Sequence, residues 1–431
     1  MTFRNQSIRC LANLLSLGLL VLPSIAAPLP SNGQTIGGGF GVQVKEWRIT
    51  PEELDDIKAM GAAYLRFGYP WNAIEHKKGS YDWSNADALM KEIRARKLRV
   101  IYELNGFHEA YSKLVDVAPE DPAPPPISLQ LPEAPVSSEA LEAFKRFAAE
   151  TVRRYNGQDV IWEIWNEPDT NGGWPPKADG AAFTSFLSAI CSAIKDAVPE
   201  ATVIGPALAY LPSSAHWRPD FLGTILKSPA ASCLDALSIH PYRSTPPETV
   251  SDDYQAMRTF INQHTPAGKK PLPFINSEWG YSLAAVTPEQ QAAYTARYVL
   301  LNNLERIPAS IWYEWRDSGS EAGLYDAERH FGLRDYENRG KPSYNTLKEF
   351  LPRVRDAVVE RRLAAGEARD YLLLLRQPDG RQLLAAWSLR KASIRIREDS
   401  RDNSYALSED PVLIPLTSPD STIDVTSTGP E

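Results

Sequence analysis

Two strings in this chain end an apolar run on a carboxylate. In the first, Trp162, Glu163, Ile164 and Trp165 lead to Asn166 and Glu167, and Pro168 stops the run. In the second, Phe274, Ile275, Asn276 and Ser277 lead to Glu278, followed by Trp279 and Gly280. A buried strand that stops on polar groups delivers them to the mouth of a parallel barrel, where catalytic groups of that fold lie. Two carboxylates facing each other there suit the cleavage of an acetal. One protonates the leaving oxygen while the other attacks the anomeric carbon. The strings therefore nominate Glu167 and Glu278 as that pair. A retaining mechanism requires their carboxyl groups to lie roughly 5 to 5.5 Å apart. The bland alternative is a pair of strand-to-loop junctions in which these side chains cap the next element.

Other residues fit the same chemistry. Arg66, in Leu65, Arg66, Phe67 and Gly68, is expected on a strand, where a buried guanidinium would hold Glu278 ionised. Asn166 is placed to bond the sugar 2-hydroxyl. Trp279 beside Glu278, and Trp315 in preference to Trp312, are candidates for an aromatic sugar-binding surface, with core packing as the rival role. Glu103, Asn105 and His108 end another run, and His108 joins the substrate-binding candidates.

Elements must position these groups. From about Gly39 to Arg353, β-rich runs alternate with amphipathic helices, the pattern of parallel strands with crossover helices. Eight runs qualify as strands: Gly39 to Val44, Tyr64 to Tyr69, Arg99 to Leu104, Val160 to Trp165, Thr202 to Pro206, Ala236 to His240, Pro273 to Ser277 and Ser310 to Trp315. Eight β/α units of this length predict an α/β fold, a (β/α)8 TIM barrel over residues 36–353. Thr50, Pro51 and Glu53, and again Thr287, Pro288 and Gln290, supply a cap, a first-turn proline and a capping-box partner. Phe107 to Val136 is long and proline-rich, which predicts a cleft wall or a plain insertion. Residues 354–416 change to β runs with a turn at Pro378, Asp379 and Gly380, predicting a small C-terminal antiparallel β-sandwich. The Ser-, Thr-, Asp- and Pro-rich stretch 417–431 predicts a disordered tail.

With both strings at the ends of strands four and seven, the chain resembles the 4/7 superfamily of retaining glycosidases, glycoside hydrolase clan A. Within it, the chain is most similar to the family 39-like group, which includes endoglycosidases encoded with bacterial exopolysaccharide machinery of the Psl type. The resemblance covers about Gly39 to Arg353. It implies acid/base and nucleophile roles for Glu167 and Glu278. It also implies that His240 and Tyr242, in Ile239, His240, Pro241 and Tyr242, contact the nucleophile or the sugar. A structural histidine beside proline is the rival reading. The implied activity is β-glycoside cleavage, with an endoglycosidase acting on an exopolysaccharide as first reading. An exo-acting β-xylosidase, a cellulase-like enzyme and a non-catalytic carbohydrate-binding scaffold are the alternatives.

Bulk properties are compatible. The 431 residues carry a net charge of -8, which disfavours nucleic acid as partner, and leave neutral poly- or oligosaccharide as a natural ligand. Only 6 His, with no His-x-Glu or Cys-x-x-Cys cluster, give no indication of a metal site, and no cofactor is expected. Gly-x-Ser-x-Gly is absent, which removes the usual esterase signature. Arg4 and Arg9 precede an apolar run from Leu11 to Leu22, with Ser24 and Ala26 beyond. Residues 1–26 therefore read as a signal peptide cut after Ala26 or as an uncleaved membrane anchor, and the protein as exported, periplasmic or secreted. Beyond that segment, Cys191 and Cys233 are either bridged or two buried free thiols. The expected state is a monomer.

Overall fold

A computed structural model describes residues 35–120, 129–157, 159–320, 327–364, 366–398, 401–417 and 422–427. Eight parallel strands carry the fold: β1 (Phe40–Gln43), β2 (Tyr64–Phe67), β3 (Arg99–Leu104), β4 (Val160–Ile164), β5 (Thr202–Ile204), β6 (Leu237–Ile239), β7 (Phe274–Trp279) and β8 (Ser310–Trp312). Each lies within or against one of the apolar runs of the sequence. They form one sheet in sequential order with β8 beside β1. Parallel bridges Ile204–Ala236 and Leu208–Ile239 link the β5 and β6 segments and close the circle.

Alternation along the strands builds two interior layers. Tyr64, Ile101, Ile161, Ile204, Ala236, Ile275, Ala309 and Ile311 form an apolar cluster separate from the larger helix-side core. Two residues further along β2, β3 and β4, the same inward phase carries Arg66, Glu103 and Glu163. The polar layer thus stands on an apolar plug, at the end where the strands stop.

Among the described residues, eight helices of eight or more residues wrap the sheet: α1 (Pro51–Met60), α2 (Ser84–Ala95), α3 (Ser138–Tyr155), α4 (Gly180–Ala197), α5 (Pro219–Leu226), α6 (Val250–His264), α7 (Pro288–Leu304) and α8 (Pro342–Val354). Both expected capping boxes form, Thr50 with Glu53 and Thr287 with Gln290. Helix α3 buries one face, including Phe144, Phe147, Thr151 and Tyr155. Cys191 of α4 is disulfide-bonded to Cys233, 42 residues on, which decides between the bridged and free-thiol readings.

After α8, a four-stranded antiparallel sheet (Val358–Arg362, Asp370–Arg376, Gln382–Ser388, Val412–Leu416) faces a three-stranded one (Ala392–Glu398, Arg401–Leu407, Thr422–Ser427). Leu372, Leu384 and Ile414 of the first pack on Ile394, Ile396 and Leu407 of the second, making the expected β-sandwich. One expectation is corrected: Thr422–Ser427, read as disordered tail, pairs along Ala392–Glu398. Polar side chains suit such an exposed edge strand, so composition alone misled. In the proline-rich insertion, Leu114–Val117 pairs with Leu129–Pro132, while residues 121–128 lie outside the described residues. So does segment 1–26, read from sequence as a signal peptide or a membrane anchor. Among the described residues, no helix is long and apolar enough to cross a membrane.

Candidate active site

The β4 end is shaped by backbone rather than by packing alone. Trp165 (φ 70°) and Glu167 (φ 49°) both adopt left-handed backbone, a costly conformation for residues with side chains. Several bonds hold it there. Trp165 N–H donates to Leu104 O (3.0 Å), and Glu167 N–H to Ala207 O (3.0 Å). The Trp165 indole N–H donates to Gly173 O (2.7 Å). Gly173 is needed at that position, since a Cβ there would lie 1.9 Å from Glu167 O. Asp169 accepts from the Ala209 and Tyr210 N–H groups (2.9 and 3.0 Å), tying this loop to the one after β5. Burial pushes the Asp169 carboxyl up to about 6.

On β7 the pairing with β8 slips by one residue between Asn276 and Trp279. Such a bulge re-aims the side chains beyond it. Glu278 points into the barrel mouth, and Trp279 into the helix layer.

Arg66 is the hub. Its guanidinium, 1% exposed, donates from Nε to Glu163 Oε2 (2.6 Å) and from Nη1 to Glu278 Oε2 (2.6 Å) and Gln43 Oε1 (3.0 Å). Nη2 donates to Asn166 Oδ1 (2.9 Å) and lies 3.2 Å from Glu103 Oε2. The Tyr242 hydroxyl donates to Glu278 Oε1 (2.7 Å). His240 Nδ1 is 2.8 Å from Glu167 Oε1 and 4.0 Å from Glu278 Oε1. One ligand-type atom from each of Glu167, His240 and Glu278 lies within 4.8 Å of the others. That spacing could admit a cation, but both Glu278 oxygens are already engaged, by Arg66 and Tyr242.

The electrostatics follow from this wiring. Burial alone would raise the Glu278 carboxyl; the charges of His240 and Arg66 and the Tyr242 hydroxyl outweigh it and hold the group below its ordinary range. For His240, burial works against the charged ring, but Glu278 and Glu167 prevail and raise it. Glu103 is raised by burial, with Glu163 and Glu278 opposing the help it gets from Arg66.

These groups line a cavity of about 500 Å3. Arg66, Asn166, Glu167, Tyr242 and Glu278, all singled out from sequence, line it, with His240 directly behind. Three other candidates lie elsewhere. Trp279 is fully buried, its ring centroid 4.9 Å from that of Tyr298. Trp315 is 2% exposed; its indole N–H donates to Glu53 Oε1 (3.1 Å) and its ring packs on Tyr344. His108 is buried against Trp71 and Tyr111, with its Nε2–H donating to Glu75 O (2.6 Å). None of the three lines the cavity.

Five lining residues escaped sequence reasoning: Gln43, Lys45, Tyr313, Glu328 and Phe331. Lys45 Nζ donates to the Tyr313 hydroxyl (3.0 Å), and that hydroxyl donates to Glu328. Tyr313 follows buried Trp312, so strict alternation past β8 was the available signal. Lys45 and Phe331 sit in loops and Glu328 in a single 3-10 turn, and they gave none.

Comparison with known proteins accords with this geometry. The profile of the cellulase family, glycosyl hydrolase family 5, matches residues 32–318. No curated protein matches the chain. Among solved structures, a family 39 glycoside hydrolase from the gut symbiont Bacteroides cellulosilyticus WH2 superposes with a TM-score of 0.71 at 18% identity, covering 89% of this chain and 81% of that one. A monomeric beta-xylosidase from Caulobacter crescentus CB15 gives 0.58 at 17%, covering 92% and 97%. A GH30 endoxylanase from Clostridium papyrosolvens C71 gives 0.59 at 14%, covering 93% and 96%. At these identities the superpositions establish a shared fold, so the likeness to family 39 stands at the level of architecture. The profile match spans well over half of the sequence and includes both glutamate strings: the chain belongs to the cellulase family, glycosyl hydrolase family 5, and is a glycoside hydrolase of clan A.

Proposed function

We propose that the enzyme is a retaining β-glycosidase that cleaves within a bacterial exopolysaccharide after export, with Glu278 as nucleophile and Glu167 as acid/base. The observation that carries the mechanism is the closeness of the two carboxylates over one cavity, each with a different partner set: Arg66 and Tyr242 on Glu278, His240 on Glu167. In the first step a Glu278 oxygen bonds to the anomeric carbon, the bond to the leaving sugar oxygen breaks, and Glu167 gives that oxygen its proton. Water then attacks the same carbon, returning a proton to Glu167 and freeing Glu278 as carboxylate.

The cavity's charge supports an uncharged sugar. Its two cations are occupied, Arg66 by carboxylates and Lys45 by Tyr313 and Glu314 (3.6 Å), whereas Glu103, Glu167, Glu278 and Glu328 all face it. Among the described residues that line the cavity, neither cation is left free for a uronate. The Cys191–Cys233 bridge supports export, because structural disulfides persist in oxidising compartments. The xylosidase and endoxylanase among the structural neighbours make β-xylosides a second substrate class to assay.

The test is turnover of aryl β-glucosides and β-xylosides and of a panel of bacterial exopolysaccharides. Glu278→Gln should abolish it, and Glu167→Gln should slow it by roughly 10²- to 10⁴-fold. NMR of the first-formed product should show the starting anomer. Inversion, or sugar binding without turnover of anything in the panel, would overturn the mechanism.

A further inference from the structure

The turn after β1 faces two hollows at once. Lys45 lines the catalytic cavity. The next residues, Glu46 and Trp47, line a second hollow of about 540 Å3 bounded by α1, α2 and the loop after β2, with Ile49, Tyr69 and His76 among its walls. Because Glu46 and Trp47 follow β1 and Tyr69 follows β2, this hollow lies on the same face of the barrel as the two glutamates. It is also near: the charge of Glu103, a wall of the catalytic cavity, acts on Glu46 and helps burial raise its carboxyl.

Trp47 is 68% exposed, the highest exposure recorded for a large hydrophobic side chain among the described residues. Yet it is anchored. Arg48 N–H and Ile49 N–H both donate to Lys45 O (3.2 and 3.1 Å), which closes the turn. The Arg48 guanidinium lies over the indole, 5.2 Å from its centroid. That guanidinium is itself fixed to the loop after β8, donating to the carbonyls of Asp317 (2.7 Å) and Arg316. An arginine clamped at its head thus braces the ring and leaves the remaining indole surface in water. Holding a large apolar ring ordered in solvent costs hydration and entropy without a gain to the fold.

We propose that Trp47 and this hollow form a distal subsite that stacks a pyranose unit of the same sugar chain whose scissile bond sits between Glu167 and Glu278. The proposal rests on the glycosidase reading and extends it to chain recognition. An indole is apolar on its face and polar at its edge, which suits the C–H face of a pyranose ring. Glu46, His76, Asn85 and Glu92 around it supply partners for hydroxyl groups, and the two carboxylates disfavour an anionic occupant.

Trp47→Ala and Trp47→Tyr are compared with wild type on p-nitrophenyl β-glucoside and β-xyloside, on cellohexaose and xylohexaose, and on the exopolysaccharide panel. The aryl glycosides reach only the catalytic cavity. Trp47→Ala is expected to lower kcat/KM about tenfold on the oligomers or polymers that wild type cleaves, mainly through KM, a size typical of one aromatic contact. The aryl glycosides should be unaffected, and Trp47→Tyr should recover most of the loss. Unchanged kinetics on every chain substrate would overturn the subsite while leaving the glycosidase standing. So would an equal loss on aryl glycosides, which marks a structural role. Wild-type protein inert on the whole panel would overturn the glycosidase reading, and the subsite with it.

Discussion

At the scale of single residues, the site is organised around one guanidinium facing three carboxylates. Arg66 takes Glu163 below, Glu103 beside and Glu278 above, so the nucleophile candidate shares its counter-ion. That makes the other lowering influences on Glu278 consequential, first the charge of His240 and then the Tyr242 hydroxyl. The acid limb of kcat/KM, where Glu278 gains its proton, should fall below the ordinary glutamate value of about 4.3. Removing the Tyr242 hydroxyl removes a bond that favours the charged form, so in Tyr242→Phe that limb should move to higher pH, with kcat reduced. A pH profile of an aryl glycoside reads both, and an unmoved limb would mean that the hydroxyl only orients the carboxylate. The two glutamates were legible because a carboxylate ending an apolar run has few structural uses, and Arg66 because a charge within such a run must be paired. Trp279 and Trp315 were misplaced because the residue types suited to stacking sugar are also those suited to filling a core, and only backbone phase separates the two.

At the scale of elements, that phase is set by features one or two residues long. Eight strands could be read from apolar runs, and their order from β/α alternation. The slip in β7 that turns Glu278 inward and Trp279 outward has no signature in residue type. The segment after β8 is the other example. Strand β8 ends at Trp312, and the chain then delivers Tyr313 to the cavity and buries Glu314, whose carboxyl accepts from the Ser318 hydroxyl (2.7 Å) and lies 3.6 Å from Lys45 Nζ. Burial pushes Glu314 up to about 7, with Lys45, Ser318 and Arg48 only partly opposing it. From roughly pH 4.3 to about 7, the folded protein holds a proton that the unfolded chain has released. Its contribution to stability is therefore complete below that window and is lost as pH rises through it. Wild type should lose on the order of 3 kcal/mol across the window from this group. Glu314→Gln keeps a neutral side chain and should flatten that part of the curve. Parallel slopes for the two proteins in chemical denaturation at pH 5 and 8 would assign the pH dependence elsewhere.

At the scale of the molecule, the barrel and the sandwich meet at a buried ion pair of the barrel to which the sandwich adds two partners. Arg297 on α7, fully buried, donates from Nε and Nη2 to the two oxygens of Glu248 (2.7 Å each), just before α6. From the sandwich, the Trp387 indole N–H donates to Glu248 Oε1 (2.7 Å), and Glu409 accepts from Arg297 Nη1 (3.0 Å). Sequence periodicity found both folding units, but a contact between residues 248, 297, 387 and 409 depends on how they dock, which no local pattern encodes. A buried pair adds little over a well-packed apolar substitute, yet removing one partner strands the other charge, at about 3–5 kcal/mol. Arg297→Met leaves Glu248 buried with only the indole N–H and also removes the Arg297–Glu409 contact across the interface. The disulfide constrains the barrel instead, contributing about 4 kcal/mol in the chain-entropy model for its 42-residue separation. The barrel should therefore outlast the sandwich once the clamp is cut. Calorimetry is expected to show one transition in wild type and two in Arg297→Met, the earlier one abolished by deleting the sandwich strands. Turnover measured below that first transition should be unchanged, because the Arg297 contacts lie outside the catalytic cavity. A single transition at the wild-type temperature would show that apolar packing, rather than the ion pair, joins the two units.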